Sequence, residues 1–391
     1  LKPLLQHVPR SRRGIFFSAL LALPAAAAVA APYQPADDAQ VLARVPPPLL
    51  RNAADLSDPA QAARLAQAYI EQARQIGDPR WLGYAESLLA PWWQQPEPPS
   101  PVLLLRATLR QSRHEFTSAL ADLDVLLRRD PRNAQAWLTR ATILRVQGRY
   151  AEARQSCLRT LGLTDDFVTS LCAASVSGLA GSLRPALKSL ESLETASALR
   201  SPELVAWYWA ERTEMLERLG DVGRADAAYV HALKRAPQDL GLRAAYADFL
   251  LDQRRPAEAL QWARQNTADD AVDALRLRRV LAAQALGQPD AKLREQLADA
   301  FAAARRRGED PHLREEARYL LEVERDAPRA LALAVENWAT QREPMDARLL
   351  LAAAQAAGKP QAAQPVRQWL KETGYEDARL APLLAPAGAA P

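Results

Sequence analysis

His312 and Glu316 stand four residues apart, the spacing that puts two side chains on one face of a helix, where both could reach one metal ion. The competing reading is structural. Asp310-Pro311 opens a helix at His312, and Glu315 and Glu316 favour its positive N-terminal end. No metal site is expected. Of the other histidines, His7 lies in the basic N-terminal stretch, His114 in a turn and His231 in a helix. The cysteines are two, Cys157 and Cys172, too few for a zinc site without histidines beside them.

Other reactive patterns are missing. The chain has no Gly-rich phosphate loop, nucleophile elbow, His-Glu-x-x-His segment or paired Cys-x-x-Cys. Its 15 glycines fall mostly at turns, so no nucleotide cradle and no cofactor are expected. Arg305-Arg306-Arg307 reads as a basic patch or, more simply, as a solvated helix end where positive charge is favourable. Trp92-Trp93 reads as a ligand platform or as a helix end packed on its neighbour.

The elements that would position these groups are helices, and they repeat. Arg106-Ala107-Thr108 recurs 34 residues later as Arg140-Ala141-Thr142. Phe116 recurs as Tyr150, and Ala119 as Ala153. Ala225 and Ala259 return the same period downstream. Alanines at the crossings let two helices approach closely, while large residues fill the space beside them. Each hairpin has an apolar face that only a stacked neighbour covers.

Trp137, Ala141, Gly148, Tyr150 and Ala153 resemble the tetratricopeptide repeat family, which places an aromatic early in the first helix, a glycine at the turn and an aromatic opening the second helix. Asp165 stands where the family has a closing proline. The resemblance is strong over 100–166 and 206–270 and weaker elsewhere. It implies an all-α right-handed solenoid of about eight antiparallel helix pairs.

The expected organisation is a signal peptide over 1–30, a Pro-rich tether over 31–57 and a divergent first pair over 58–95. The repeat array covers 100–273, with Pro91 and Pro96-Glu97-Pro98-Pro99 breaking the chain before it. Degenerate pairs follow over 274–381 and a flexible tail over 382–391.

The family's first helices line a concave face, where ligands commonly lie. Carried onto this chain, that face holds Leu104, Thr108, Gln111, Leu138, Thr142 and Arg145. Further along it holds Trp207, Glu214, Glu217, Asp248 and Asp252. It changes from nearly uncharged to acidic, and the acidic half suits a basic or amide-rich peptide. Simple solvation of a polar face is the alternative. The resemblance also brings Cys157, in a second helix, beside Cys172, in the next first helix. A disulfide or two buried thiols fit equally.

Composition narrows partner and place. Lys2, Arg10, Arg12 and Arg13 account for the whole formal charge of +4, so the remaining body is near neutral despite a pI of about 9.1. Nucleic acid is therefore not an expected partner. Those basic residues precede the apolar run from Ile15 to Leu23 and the small residues from Ala25 to Ala31, with Ala28-Val29-Ala30 fitting a cleavage site after Ala30. Ser11-Arg12-Arg13 suits a twin-arginine or an ordinary secretory signal. Left uncut, the segment would be the sole membrane contact. The chain resembles exported tetratricopeptide proteins of Gram-negative bacteria. That likeness implies a periplasmic, non-enzymatic scaffold or adaptor holding a peptide or protein. A cytoplasmic helical-repeat regulator and, less favoured, an enzyme built into the helices are the alternatives.

Overall fold

The computed structural model describes residues 58–264, 273–306 and 313–385. The signal, cleavage-site and tether expectations, His312, Arg307 and the tail beyond residue 385 lie outside the described residues.

Every described element is helical. Helices α1 (Pro59–Ile76) and α2 (Arg80–Trp93) make the first pair, and α3 (Ser100–Ser112) and α4 (Phe116–Arg129) the second. Next come α5 (Ala134–Val146) with α6 (Tyr150–Leu158), and α7 (Asp166–Leu179) with α8 (Leu183–Ser192). A one-turn helix, α9 (Glu194–Ser197), absorbs the extra residues of that irregular unit. The chain continues as α10 (Pro202–Arg218) and α11 (Val222–Arg235), then α12 (Leu240–Asp252) and α13 (Pro256–Arg264). Helices α14 (Asp273–Ala285), α15 (Ala291–Arg306), α16 (Leu313–Glu322) and α17 (Ala327–Thr340) follow. The last are α18 (Pro344–Ala356), α19 (Gln364–Thr373) and the short α20 (Ala381–Leu384). Among the described residues this gives nine consecutive pairs, against about eight expected.

Local chemistry sets the boundaries. Asp58, Asn133, Asp221 and Asp239 each accept a backbone N–H at the start of α1, α5, α11 and α12. Asp165 caps α7 by accepting from the Phe167 N–H, so the missing proline is replaced by a helix start. Pro91 lies inside α2, which runs on to Trp93. In the last turn, the only bond a proline forfeits is one at a fraying end. The crossing alanines Ala107, Ala119, Ala141 and Ala153 are almost wholly buried, as close helix contact requires.

The array does not remain an open groove. The largest apolar cluster joins Ala141, Leu144 and Tyr150 of α5–α6 to Trp338, Leu349, Val366 and Trp369 of α17–α19. The Arg342 N–H donates to the Val146 carbonyl at 2.7 Å. Two glycine turns sit at the contact. Gly148 (φ +74°) lies where a Cβ would come within 3.3 Å of Arg342 and Trp369. Gly181 (φ +74°) would place one 3.0 Å from the Thr373 carbonyl oxygen. Both turns need the left-handed backbone that glycine tolerates, and both let the C-terminal segment approach. The C-terminal pairs thus pack against the inner face of the earlier ones.

Candidate functional site

The inner face is built from the first helices of successive pairs. Leu104, Thr108 and Gln111 come from α3 and are half-buried, with the Thr108 hydroxyl donating to the Leu104 carbonyl. Leu138, Thr142 and Arg145 continue the row on α5. Leu138 and Trp207 pack against both large apolar clusters.

Most of the charged members meet partners from the chain's own later helices. Arg145 reaches Glu211 at 3.1 Å and Glu343 at 3.8 Å. Glu217 accepts from Arg379 at 2.7 Å and from the Tyr229 hydroxyl. Asp248 sits between Arg278 and Arg318, each at 2.6 Å. Asp252 is held by Arg348 at 2.6 Å. Glu214 stands 3.4 Å from Arg218. The acidic half was expected to suit a basic segment; five of this chain's own arginines meet it. The acidic residues of that row are engaged internally and do not form a bare docking strip.

Burial and charge shape their protonation. Burial pushes the Glu217 carboxyl up to about 7, against the pull of Arg379. Glu211 is likewise raised by burial, with Arg145 acting in the opposite direction. At Asp248 burial is the largest single influence and acts upward, yet the two guanidiniums together outweigh it and hold the carboxyl below its ordinary value.

Several participants were not singled out from the sequence. Arg218 is 2% exposed; it donates to the Gly178 carbonyl at 2.6 Å and the Glu376 carbonyl at 3.0 Å, and lies 4.2 Å from the Tyr375 ring centre. Asp346 caps α18, accepts from Asn337 at 2.7 Å and pairs with Arg314 at 2.6 Å. Burial raises Asp346 despite that arginine. The sequence signal for these residues was weak, because their partners lie in other repeats at no fixed offset.

The remaining candidates resolve as follows. Cys157 and Cys172 are joined by a disulfide, with 5.6 Å between their Cα atoms, linking α6 to α7. Trp93 packs beside the Arg110 guanidinium, 5.7 Å from its ring centre. Arg305 pairs with Glu316. Among the described residues no group of three metal-ligating side chains converges. No described helix is long and apolar enough to cross a membrane.

The helix pairs carrying Leu104 to Arg145 are the stretch that a family model recognises. It is the tetratricopeptide repeat model, and it matches residues 104–166. Residues 104–166 are tetratricopeptide repeats. None of the curated proteins matches the chain. Among solved structures, a tetratricopeptide repeat protein from Parabacteroides merdae ATCC 43184 is 13% identical, with a TM-score of 0.39 over 75% of this chain and 99% of that one. The APC/C hetero-tetramer Cut9-Hcn1 is 14% identical, with a TM-score of 0.31 over 84% and 76% of the two chains. The P58(IPK) TPR domain is 15% identical, with a TM-score of 0.21 over 76% and 99%. These likenesses, all below a TM-score of 0.5, carry no weight for function. Tetratricopeptide arrays are protein-interaction scaffolds, and this chain has that architecture.

Proposed function

We propose that the chain is an exported, non-enzymatic scaffold of the periplasm that holds a peptide or protein partner. The observation that carries this reading is the row of tetratricopeptide first helices, whose N-terminal members Leu104, Thr108 and Gln111 are uncharged and half-buried. A partner segment lies against that uncharged stretch. The acidic stretch around Glu217 and Asp248 becomes available only when the C-terminal pairs lift away. The Cys157–Cys172 disulfide supports export, because such bonds persist in oxidising compartments.

A photo-crosslinking residue at Gln111, introduced into the chain expressed in its own cells, tests the reading, with mass spectrometry of the adducts. Discrete protein adducts are expected from the periplasmic fraction, with none from a control position at Lys188. Equal labelling at both positions, or a product found only in the cytoplasm, would overturn it.

A further inference from the structure

The two matched repeats differ at one place where their period says they should agree. Arg106 in α3 and Arg140 in α5 are equivalent positions, and so are Asp122 in α4 and Ser156 in α6. In the earlier repeat the guanidinium is fully matched. Arg106 is 3% exposed and grips Asp122 through two bonds of 2.9 and 2.7 Å. Its remaining nitrogen donates to the carbonyls of Trp93 and Gln95.

In the later repeat the carboxylate is gone. Arg140 donates to the Ser156 hydroxyl at 2.9 Å; of its acidic neighbours, Asp124 is 3.4 Å away on an exposed side chain and Glu152 acts on it through space. Ser156 already spends its own proton on the Glu152 carbonyl. Beside Arg140 the surface opens into a cavity of about 360 Å³. Two more guanidiniums line it. Arg159 lies over the Trp137 ring at 5.9 Å, and Arg128 has no ion pair or hydrogen bond among the described residues. Leu127 and the Trp137 indole supply apolar walls, and Gln155 adds an amide.

We propose that this cavity binds a carboxylate of an acidic peptide segment, which reaches Arg140 from the open side, since the place that Asp122 fills at Arg106 is held here by the buried Ser156. The peptide as the source of that carboxylate rests on the scaffold reading above. Three arginines against one aspartate give the cavity a net positive field. A guanidinium fork matches a carboxylate with two parallel bonds. The apolar walls accept the methylenes of a glutamate stem. Arg140 stands roughly 200° around α5 from Leu138 and Thr142, so the cavity opens away from the inner face. It remains accessible while the C-terminal pairs occupy that face.

Fluorescence anisotropy of the full chain with labelled hexaglutamate tests the proposal, beside hexaglutamine and a hexathymidylate. Hexaglutamate is expected to bind and hexaglutamine to fail. Ser156→Asp gives Arg140 its own carboxylate and should weaken binding about tenfold or more. Ser156 is buried, so the exposed pair Arg128→Gln/Arg159→Gln serves as the second variant, with the same loss expected at an unchanged melting temperature. Absent hexaglutamate binding, unaltered affinity in both variants, or hexathymidylate binding as tightly as hexaglutamate would overturn it. The Gln111 crosslinks report on the other face, so either result can fail while the other stands.

Discussion

At the scale of single residues, the inner face is governed by charges removed from water. Glu217 shows the consequence. Its carboxyl titrates at about 7 in the folded chain against an ordinary 4.5, because burial penalises the anion. A raised folded value means that the neutral form is the stabilising one. That contribution is complete below about pH 4.5 and is lost as pH climbs through about 7. Urea unfolding should therefore show a fall in stability of about 1–3 kcal/mol from this group between pH 5 and pH 8. Glu217→Gln, which stays neutral and keeps a hydrogen-bonding amide beside Arg379 and Tyr229, should flatten that slope. An unchanged slope in the variant would assign the pH dependence elsewhere. Asp248 works in the opposite sense, since its depressed value contributes stability that is lost only under acid conditions. The disagreement between the two follows from their neighbours: one arginine cannot offset burial at Glu217, whereas two do so at Asp248.

At the scale of elements, the turns matter as much as the helices. Gly181 ends α7 and also receives the backbone of Thr373 and Gly374. Gly181→Ala adds a left-handed strain and a steric clash with the Thr373 carbonyl. A loss of about 1–3 kcal/mol is expected, together with faster amide exchange across α19. Gly162→Ala is the control, with the same sign of φ but nothing within 4 Å of the added carbon, and it should slow nothing and speed nothing in α19. Much of this level was legible beforehand. The recurrence of Arg106-Ala107-Thr108 located α3 and α5, and Phe116 and Tyr150 marked the starts of α4 and α6, because such signals are local and periodic.

At the scale of the whole molecule, the array differs from a solenoid in which each repeat touches only its neighbours. Arg379 meets Glu217, Arg348 meets Asp252 and Arg342 meets Val146 across large separations in the chain. These pairs have no periodic signature, which is why the inner face read as open and its acidic half as a docking strip. The first two pairs reach the C-terminal helices through His114, 3.3 Å from Gln341, and the apolar residues of α3 and α4 share a cluster with Ala136 and Ile143 of α5. Hydrogen-exchange mass spectrometry should therefore find α1 and α2, which lie outside that cluster, opening at lower free energy, and the helices from α3 to α19 protected as one cooperative block. Independent exchange of α18–α19 would contradict that grouping.

The helices that cover the inner face are the last to be made. During synthesis α5 to α12 are complete while residues 342–385 are still to be added. At about 5–20 residues per second that interval is roughly two to nine seconds. For its duration Glu217 and Asp252 face the surroundings without Arg379 and Arg348, while Asp248 already has Arg278 and Arg318. A chain terminated early, near residue 310, leaves Glu217 and Asp252 without those partners for its whole lifetime, with Asp248 held by Arg278 alone, and presents them to whatever cationic segments the compartment contains.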